Sequence, residues 1–308
     1  MPEEAERNRA RDWLLAARPF AFPHTLVPVL LGAGVAHYGG AAPRWGLLAV
    51  TMGGVLLFHT ATNMLNDYWD YERGLDREAD PGSGALVRGM LTPQQVLWAA
   101  ICALLTGAAC GLYLVAEAGW PVLAVGLVGA SIGVEYTAPP ARLKERGLGD
   151  AAVFLGCGPV PVFGSYWVQA EQFSWLPVLW SVPPALLVVA TLHANNWRDA
   201  EADLAAGCRT VAGLLGDGAS AAYYHALIFL PYALVIVYTV HGYGPYSALW
   251  ALLALPLCVR LARDTGKRHA DAREGRMPFI SLDTRTAAAG LVFGSLLAAG
   301  FFGADYLF

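Results

Sequence analysis

The chain alternates between long apolar runs and short polar bursts. Runs of a length that crosses a bilayer recur nine times, over residues 20–38, 45–65, 96–116, 121–136, 151–169, 176–194, 220–240, 246–261 and 287–304. The fourth and eighth are short. In hydrocarbon such runs have to be helices, because an open strand edge finds no hydrogen-bond partner there. No low-complexity linker and no separate soluble stretch interrupts them. The expectation is therefore one all-α integral membrane domain over residues 1–308, with residues 1–18 as a basic cytoplasmic N-terminal segment.

Composition agrees. Of the 308 residues 56% are hydrophobic and only 14% charged, against about 25% charged in soluble domains. Mean hydropathy is +0.45. The 10 Trp and 34 Gly fit a membrane chain, in which Trp collects at interfaces and Gly is tolerated in spanning helices. The net charge of -4 carries less information than its distribution. Under a nine-helix topology every Lys and Arg except Arg44 falls on one face: in the N-terminal segment, in the loops after helices 2, 4 and 6, and from Arg260 to Arg285. Positive charge marks the cytoplasmic side, so the N-terminus is expected inside and the C-terminus outside. A bacterial-type cytoplasmic membrane is the expected location, and no nucleic-acid partner is expected. The charged stretch before Asp12 lacks the apolar core of a cleavable signal. The five cysteines show no CxxC spacing, and Cys208 alone lies in a polar loop.

Two runs end in bursts of Asn and Asp. At the end of helix 2, His59, Asn63, Asn66 and Asp70 fall at i, i+4, i+7 and i+11, so one helical face carries only polar groups. Asn and Asp are hard oxygen donors suited to Mg2+. A helix end fraying into a polar loop would read similarly. At the end of helix 6, Asn195, Asp199 and Asp203 follow at i, i+4 and i+8. Both ends open on the cytoplasmic side, where two or more Mg2+ could be shared around a diphosphate, neutralising it as a leaving group. Between helices 4 and 5, Pro139 and Pro140 force a turn from which Lys144 can reach that diphosphate as a mobile charge. Arg88 is a second candidate phosphate ligand. Ordinary positive-inside charge is the alternative for both.

These residues resemble the UbiA superfamily of intramembrane prenyltransferases, and most of all its 1,4-dihydroxy-2-naphthoate (MenA-type) branch. The family motif NDxxDxxxD is matched by Asn66, Asp67 and Asp70; Gly74 stands in the last Asp position and Asp76 follows. The second motif, NNxRDxxxDxxxGxxT, is matched by Asn195, Asn196, Arg198, Asp199, Asp203, Gly207 and Thr210, with Cys208 where Lys is common. The resemblance implies a nine-helix bundle around a central cavity open to lipid, capped on the cytoplasmic side by Mg2+, with two ions expected, and an isoprenyl diphosphate. It implies transfer of the isoprenyl group to an aromatic quinone-precursor acceptor. On that reading Asp67, Asp70, Asp199 and Asp203, helped by Asn66, hold the metals, with Asp76 a further ligand. Lys144, Arg88, Arg198, Arg209 and Asn195 bind the diphosphate, and Asp70, Asp199 and Lys144 carry the catalytic burden. Tyr68, Trp69, Tyr136 and Trp197 could line a dry cavity whose aromatic faces stabilise an allylic cation. His59, Asn63, His193 and Asn196 could orient the acceptor. For the aromatics and histidines, ordinary helix packing is the competing role.

Two other readings stay open: another acceptor, such as a hydroxybenzoate, a homogentisate or a secondary-metabolite phenol, and a lipid or quinone transporter. A transporter would hold its site near the midplane, whereas these carboxylates gather at helix ends.

Overall fold

The computed structural model describes residues 9–74, 84–265 and 281–304. It is an all-helical bundle. A short helix α1 (Arg9–Ala17) precedes α2 (Pro23–Tyr38), α3 (Trp45–Glu72), α4 (Pro93–Ala118) and α5 (Trp120–Glu135). There follow α6 (Gly149–Cys157), α7 (Pro159–Ala170), α8 (Leu176–Ala205), α9 (Val211–Val240), α10 (Leu255–Thr265) and α11 (Leu282–Phe302). A 3-10 stretch, Tyr246–Ala254, runs directly into α10. Among the described residues, seven helical stretches are long and apolar enough to cross a membrane, α6 with α7 and the 3-10 stretch with α10 each counting as one. α2 and α5, at 16 residues each, fall short of that length.

Helix boundaries follow local chemistry. α4 opens with a reciprocal capping box, in which Thr92 accepts from the Gln95 amide and Gln95 accepts from the Thr92 amide. Pro93 sits at its first turn, where no amide is needed. The first apolar run starts as helix only at Pro23, because Pro19 and Pro23 leave a 3-10 turn over Pro19–Ala21. α9 begins at Val211, capped by Thr210, and breaks at Gly216, whose φ of 70 only glycine adopts readily. The apolar span proper therefore starts just beyond, where the hydropathy pattern indicates.

The core lies between α2, α7, α8, α9 and α11, around Trp180, Trp197, Tyr224, Phe293 and Phe301. α3 packs mainly on α4. Leu105, Leu112, Leu127, Val128 and Leu253 are exposed, which suits lipid and not water. Exposed Trp45, Trp120, Trp175 and Tyr246 stand at the starts of their segments and form a belt at one end of the bundle. At that same end Arg44 is held by Glu171, by the Gln169 side chain and, at 4.0 Å, by Glu117.

Close helix approach depends on small residues. A Cβ at Gly32 would collide with the Val162 carbonyl of α7. Gly32→Leu is expected to destabilise the bundle by about 3 kcal/mol. Thermal unfolding in detergent checks this, with Gly46→Ala, which faces open space, as the unchanged control.

Candidate active site

The last turns of α3 carry two carboxylates that are almost wholly buried, Asp67 and Asp70. Buried charge needs a partner, and each has one. Arg18, from the junction of α1 and α2, bonds Asp67. Lys144 Nζ donates to Asp70 Oδ2 at 2.9 Å. Beside them Asn63 Nδ2 and Asn66 Oδ1 are buried without a hydrogen-bond partner.

Lys144 sits on a 3-10 turn, Leu143–Glu145. Its amide donates to the Tyr136 carbonyl at 3.0 Å, folding the turn back on the end of α5. The next residue, Glu145, reaches both acidic helix ends. Its carboxylate takes both guanidinium nitrogens of Arg73, just past α3. Its carbonyl accepts from the Arg209 amide, just past α8, at 3.1 Å. Arg146 and Arg209 also form an isolated parallel bridge. One turn thus straps the first motif to the second. Burial pulls the Lys144 pKa down, but the Asp70 carboxylate outweighs that and holds the ammonium above its ordinary value.

At the end of α8, Arg198 organises the second motif. It donates to Asp199 Oδ1 at 2.9 Å and Oδ2 at 2.8 Å, to Asn195 Oδ1 at 2.8 Å, and to Asp283 Oδ2 of α11 at 2.8 Å. The Cys208 amide donates to the Asp203 carbonyl at 2.8 Å. The Cys208 thiol is buried, and its pKa is raised by burial first and then by Asp203 and Asp70, with Lys144 and Arg73 opposing. That set of neighbours puts the thiol between the two acidic ends. A buried thiol with a raised pKa is a packing group rather than a nucleophile.

Several sequence candidates stand elsewhere. Arg88 is exposed, with its guanidinium folded over Gly84. The Arg209 side chain is exposed. Trp197 is buried in the main core, and its indole donates to Asp217 at 2.9 Å. His59 pairs with the Thr25 hydroxyl and meets Phe22 edge-on. Tyr68 and Trp69 pack edge to face, ring centres 5.3 Å apart. Asn196 and His193 are buried one to two turns before Asp199. Tyr136 lies under the turn, its hydroxyl 3.7 Å from where a Gly149 Cβ would stand. Asp76 lies outside the described residues. The sequence patterns missed Arg18, Glu145 and Asp283; Arg18 reads there as topological charge, and nothing in the spacing links Asp283 to α8.

Among the described residues no three His, Cys, Asp or Glu side chains form a ready-made cation site. Asp67, Asp70 and Asp199 each engage a cationic side chain instead. The donor set nevertheless fits a hard divalent cation: carboxylate oxygens on both ends, and the unpartnered amide oxygen of Asn66 between them and the bundle.

Comparison with known proteins gives a consistent result. The sequence matches the UbiA prenyltransferase family over residues 25–282. It is 31% identical over 304 residues to the mouse UbiA prenyltransferase domain-containing protein 1, covering 97% of this chain and 86% of that one. It is 30% identical over 289 residues to the 1,4-dihydroxy-2-naphthoate octaprenyltransferase of Bacillus subtilis (strain 168), covering 94% and 91%. The fold is similar to a UbiA homolog from Archaeoglobus fulgidus solved with GPP and Mg2+, at TM-score 0.65 and 15% identity, covering 96% of this chain and all of that one. On the family match and these identities, the chain belongs to the UbiA prenyltransferase family and is a membrane-embedded prenyltransferase.

Proposed function

We propose that the protein transfers an isoprenyl group from an allylic diphosphate to an aromatic acceptor within the membrane, with Mg2+ as cofactor. The observation that carries this reading is the strap at Glu145, which joins the Asp67/Asp70 end to the Asp199/Asp203 end with Lys144 between them. The archaeal relative's complex with GPP and Mg2+ supports the same ligand pair.

Asp67, Asp70, Asp199 and Asp203, with Asn66, would hold Mg2+, two ions being the proposed number. Bound Mg2+ supplies charge neutralisation to the departing diphosphate. The protein's own groups do the rest. Lys144 exchanges Asp70 for a phosphate oxygen, which frees that carboxylate as an oxygen donor. Arg198 does the same at Asp199 while Asp283 and Asn195 keep its guanidinium aimed. Cations placed before the reaction lower the barrier to breaking the C–O bond, because negative charge grows on the leaving oxygens. Tyr136, under the Lys144 turn, offers an aromatic face to the allylic cation. The orientation proposed is nine crossings with the N-terminus and this site on the cytoplasmic side. Among the described residues, the gathering of Arg18, Arg73, Lys144, Arg198 and Arg209 at this end, against Arg44 at the other, supports it.

The acceptor is proposed at the level of its class, an electron-rich aromatic ring. The shifted first motif and the Bacillus relative favour 1,4-dihydroxy-2-naphthoate as the first to test. The vertebrate relatives carry a name that specifies no acceptor and match at 31% and 32% identity, slightly above the Bacillus relative, which favours keeping the other phenols beside it. The test mixes purified protein with geranyl diphosphate and 1,4-dihydroxy-2-naphthoate, 4-hydroxybenzoate or homogentisate, with Mg2+ or with EDTA. Diphosphate release and a prenylated product are expected with Mg2+ only. Quinone flux across vesicles, with no prenylated product from any acceptor, would instead establish a carrier.

A further inference from the structure

A second polar cluster lies one layer below the strap, within the bundle. Asp150 opens α6, His193 stands on α8, and Tyr223 on α9. Asp150 is 6% exposed and His193 fully buried. No hydrogen bond of normal geometry reaches either carboxylate oxygen of Asp150 or either ring nitrogen of His193, although the Tyr223 hydroxyl interacts with Asp150 and the Ser220 backbone with His193. Tyr223 meets the imidazole edge-on, with ring centres 4.8 Å apart. Native structures rarely leave such groups unsatisfied, so each requires an explanation.

The spacing supplies one. His193 Nδ1 lies 3.9 Å from Asp150 Oδ2. That is too long for a direct hydrogen bond. It is the span that two hydrogen bonds of about 2.8 Å cover when they meet at a single oxygen. The cluster also adjoins the strap: Gly149, which precedes Asp150, lies against the Tyr136 hydroxyl and the Lys144 backbone.

Resting on the prenyl-transfer reading above, we infer that Asp150 and His193 form the acceptor-hydroxyl subsite, gripping one phenolic oxygen of the aromatic acceptor between them and taking its proton. The hydroxyl donates to the Asp150 carboxylate and accepts from the His193 Nδ1–H; its O–H bond breaks, the proton moves to Asp150, and the imidazole N–H holds the phenolate oxygen. The electron pair released drives formation of the new C–C bond to the allylic carbon, and the C–O bond to diphosphate breaks with its pair leaving on oxygen. The alkylated ring carbon then loses its proton to the expelled diphosphate, or its carboxylate as CO2. That loss restores aromaticity, and Asp150 returns the borrowed proton to the ring oxygen. Atoms and charge balance without an added oxidant or reductant.

The test uses the full-length protein in detergent with whichever acceptor of the panel the wild type prenylates, and with an analogue in which that ring hydroxyl is a methyl ether, which keeps the ring electron-rich but has no proton to give. In wild type, masking the hydroxyl is expected to cost about a hundredfold in kcat/KM. Asp150→Asn and His193→Gln should each lower kcat/KM for the full acceptor about a hundredfold, leave the KM for geranyl diphosphate within about twofold, and discriminate against the analogue by under about threefold. A merely structural cluster would leave the hydroxyl discrimination intact. That result, or an equal loss of geranyl diphosphate binding, overturns the inference. If either variant does not fold, Tyr223→Phe and the other variant are read by the same ratio. A wild type that prenylates no acceptor would overturn the function itself, a separate outcome.

Discussion

Asp70→Asn and Asp199→Asn each lower prenyl transfer by about a thousandfold, because each removes one anionic oxygen donor from a site that must hold a leaving diphosphate through cations. The two variants are expected to differ in stability. Asp70 is the one partner described for the Lys144 ammonium in its half-buried position, so Asp70→Asn strands a charge and costs about 1–3 kcal/mol. Arg198 keeps Asn195 and Asp283 after Asp199→Asn, so that change stays within about 0.5 kcal/mol. Initial rates with labelled geranyl diphosphate and thermal unfolding of the same preparations check both. Residual activity above about a tenth of wild type in either variant would refute the shared-site scheme.

Lys144→Met lowers turnover by about a hundredfold and raises the KM for the prenyl diphosphate, since a preplaced positive charge is lost from the leaving oxygens. It also has a second signature. Without Lys144 the Asp70 carboxylate is left almost buried and unpaired, and the metal-free protein unfolds at a lower temperature. Mg2+ with inorganic diphosphate should recover part of that loss, because a ligand that binds only the folded form adds stability. Unfolding temperatures with and without Mg2+ and diphosphate measure the recovery. An unchanged metal-free unfolding temperature would mean that the Lys144–Asp70 pair contributes nothing.

The apolar segments and the polar ends of the helices were legible because hydrocarbon imposes them, whereas helix lengths and the count of nine were not. The apolar run ending in Asn63, Asn66 and Asp70 and the run ending in Asn195 and Asp199 each announce a surface by spacing alone. The boundaries that slipped did so for local reasons. Pro19 and Pro23 hold back the start of α2, and the Gly216 break adds a capped turn before the membrane part of α9. Ion pairs were not legible. Arg18 meets Asp67 across 49 residues and Arg198 meets Asp283 across 85. Each basic residue there serves topology and chemistry together, and only the first role leaves a pattern in sequence. Asp150 was hidden for a related reason: a single acid at a helix start looks like an ordinary favourable dipole contact until the imidazole from α8 is seen beside it.

The pairing of Asp67 with Arg18, Asp70 with Lys144 and Asp199 with Arg198 has a consequence for the order in which the enzyme loads. Acids already neutralised exert little pull on a bare divalent ion, which would have to displace those cationic side chains from their carboxylates. A phosphate-bearing ion brings the anion that receives them, so metal and prenyl donor are expected to enter as one complex, leaving the mouth electrically quiet between turnovers.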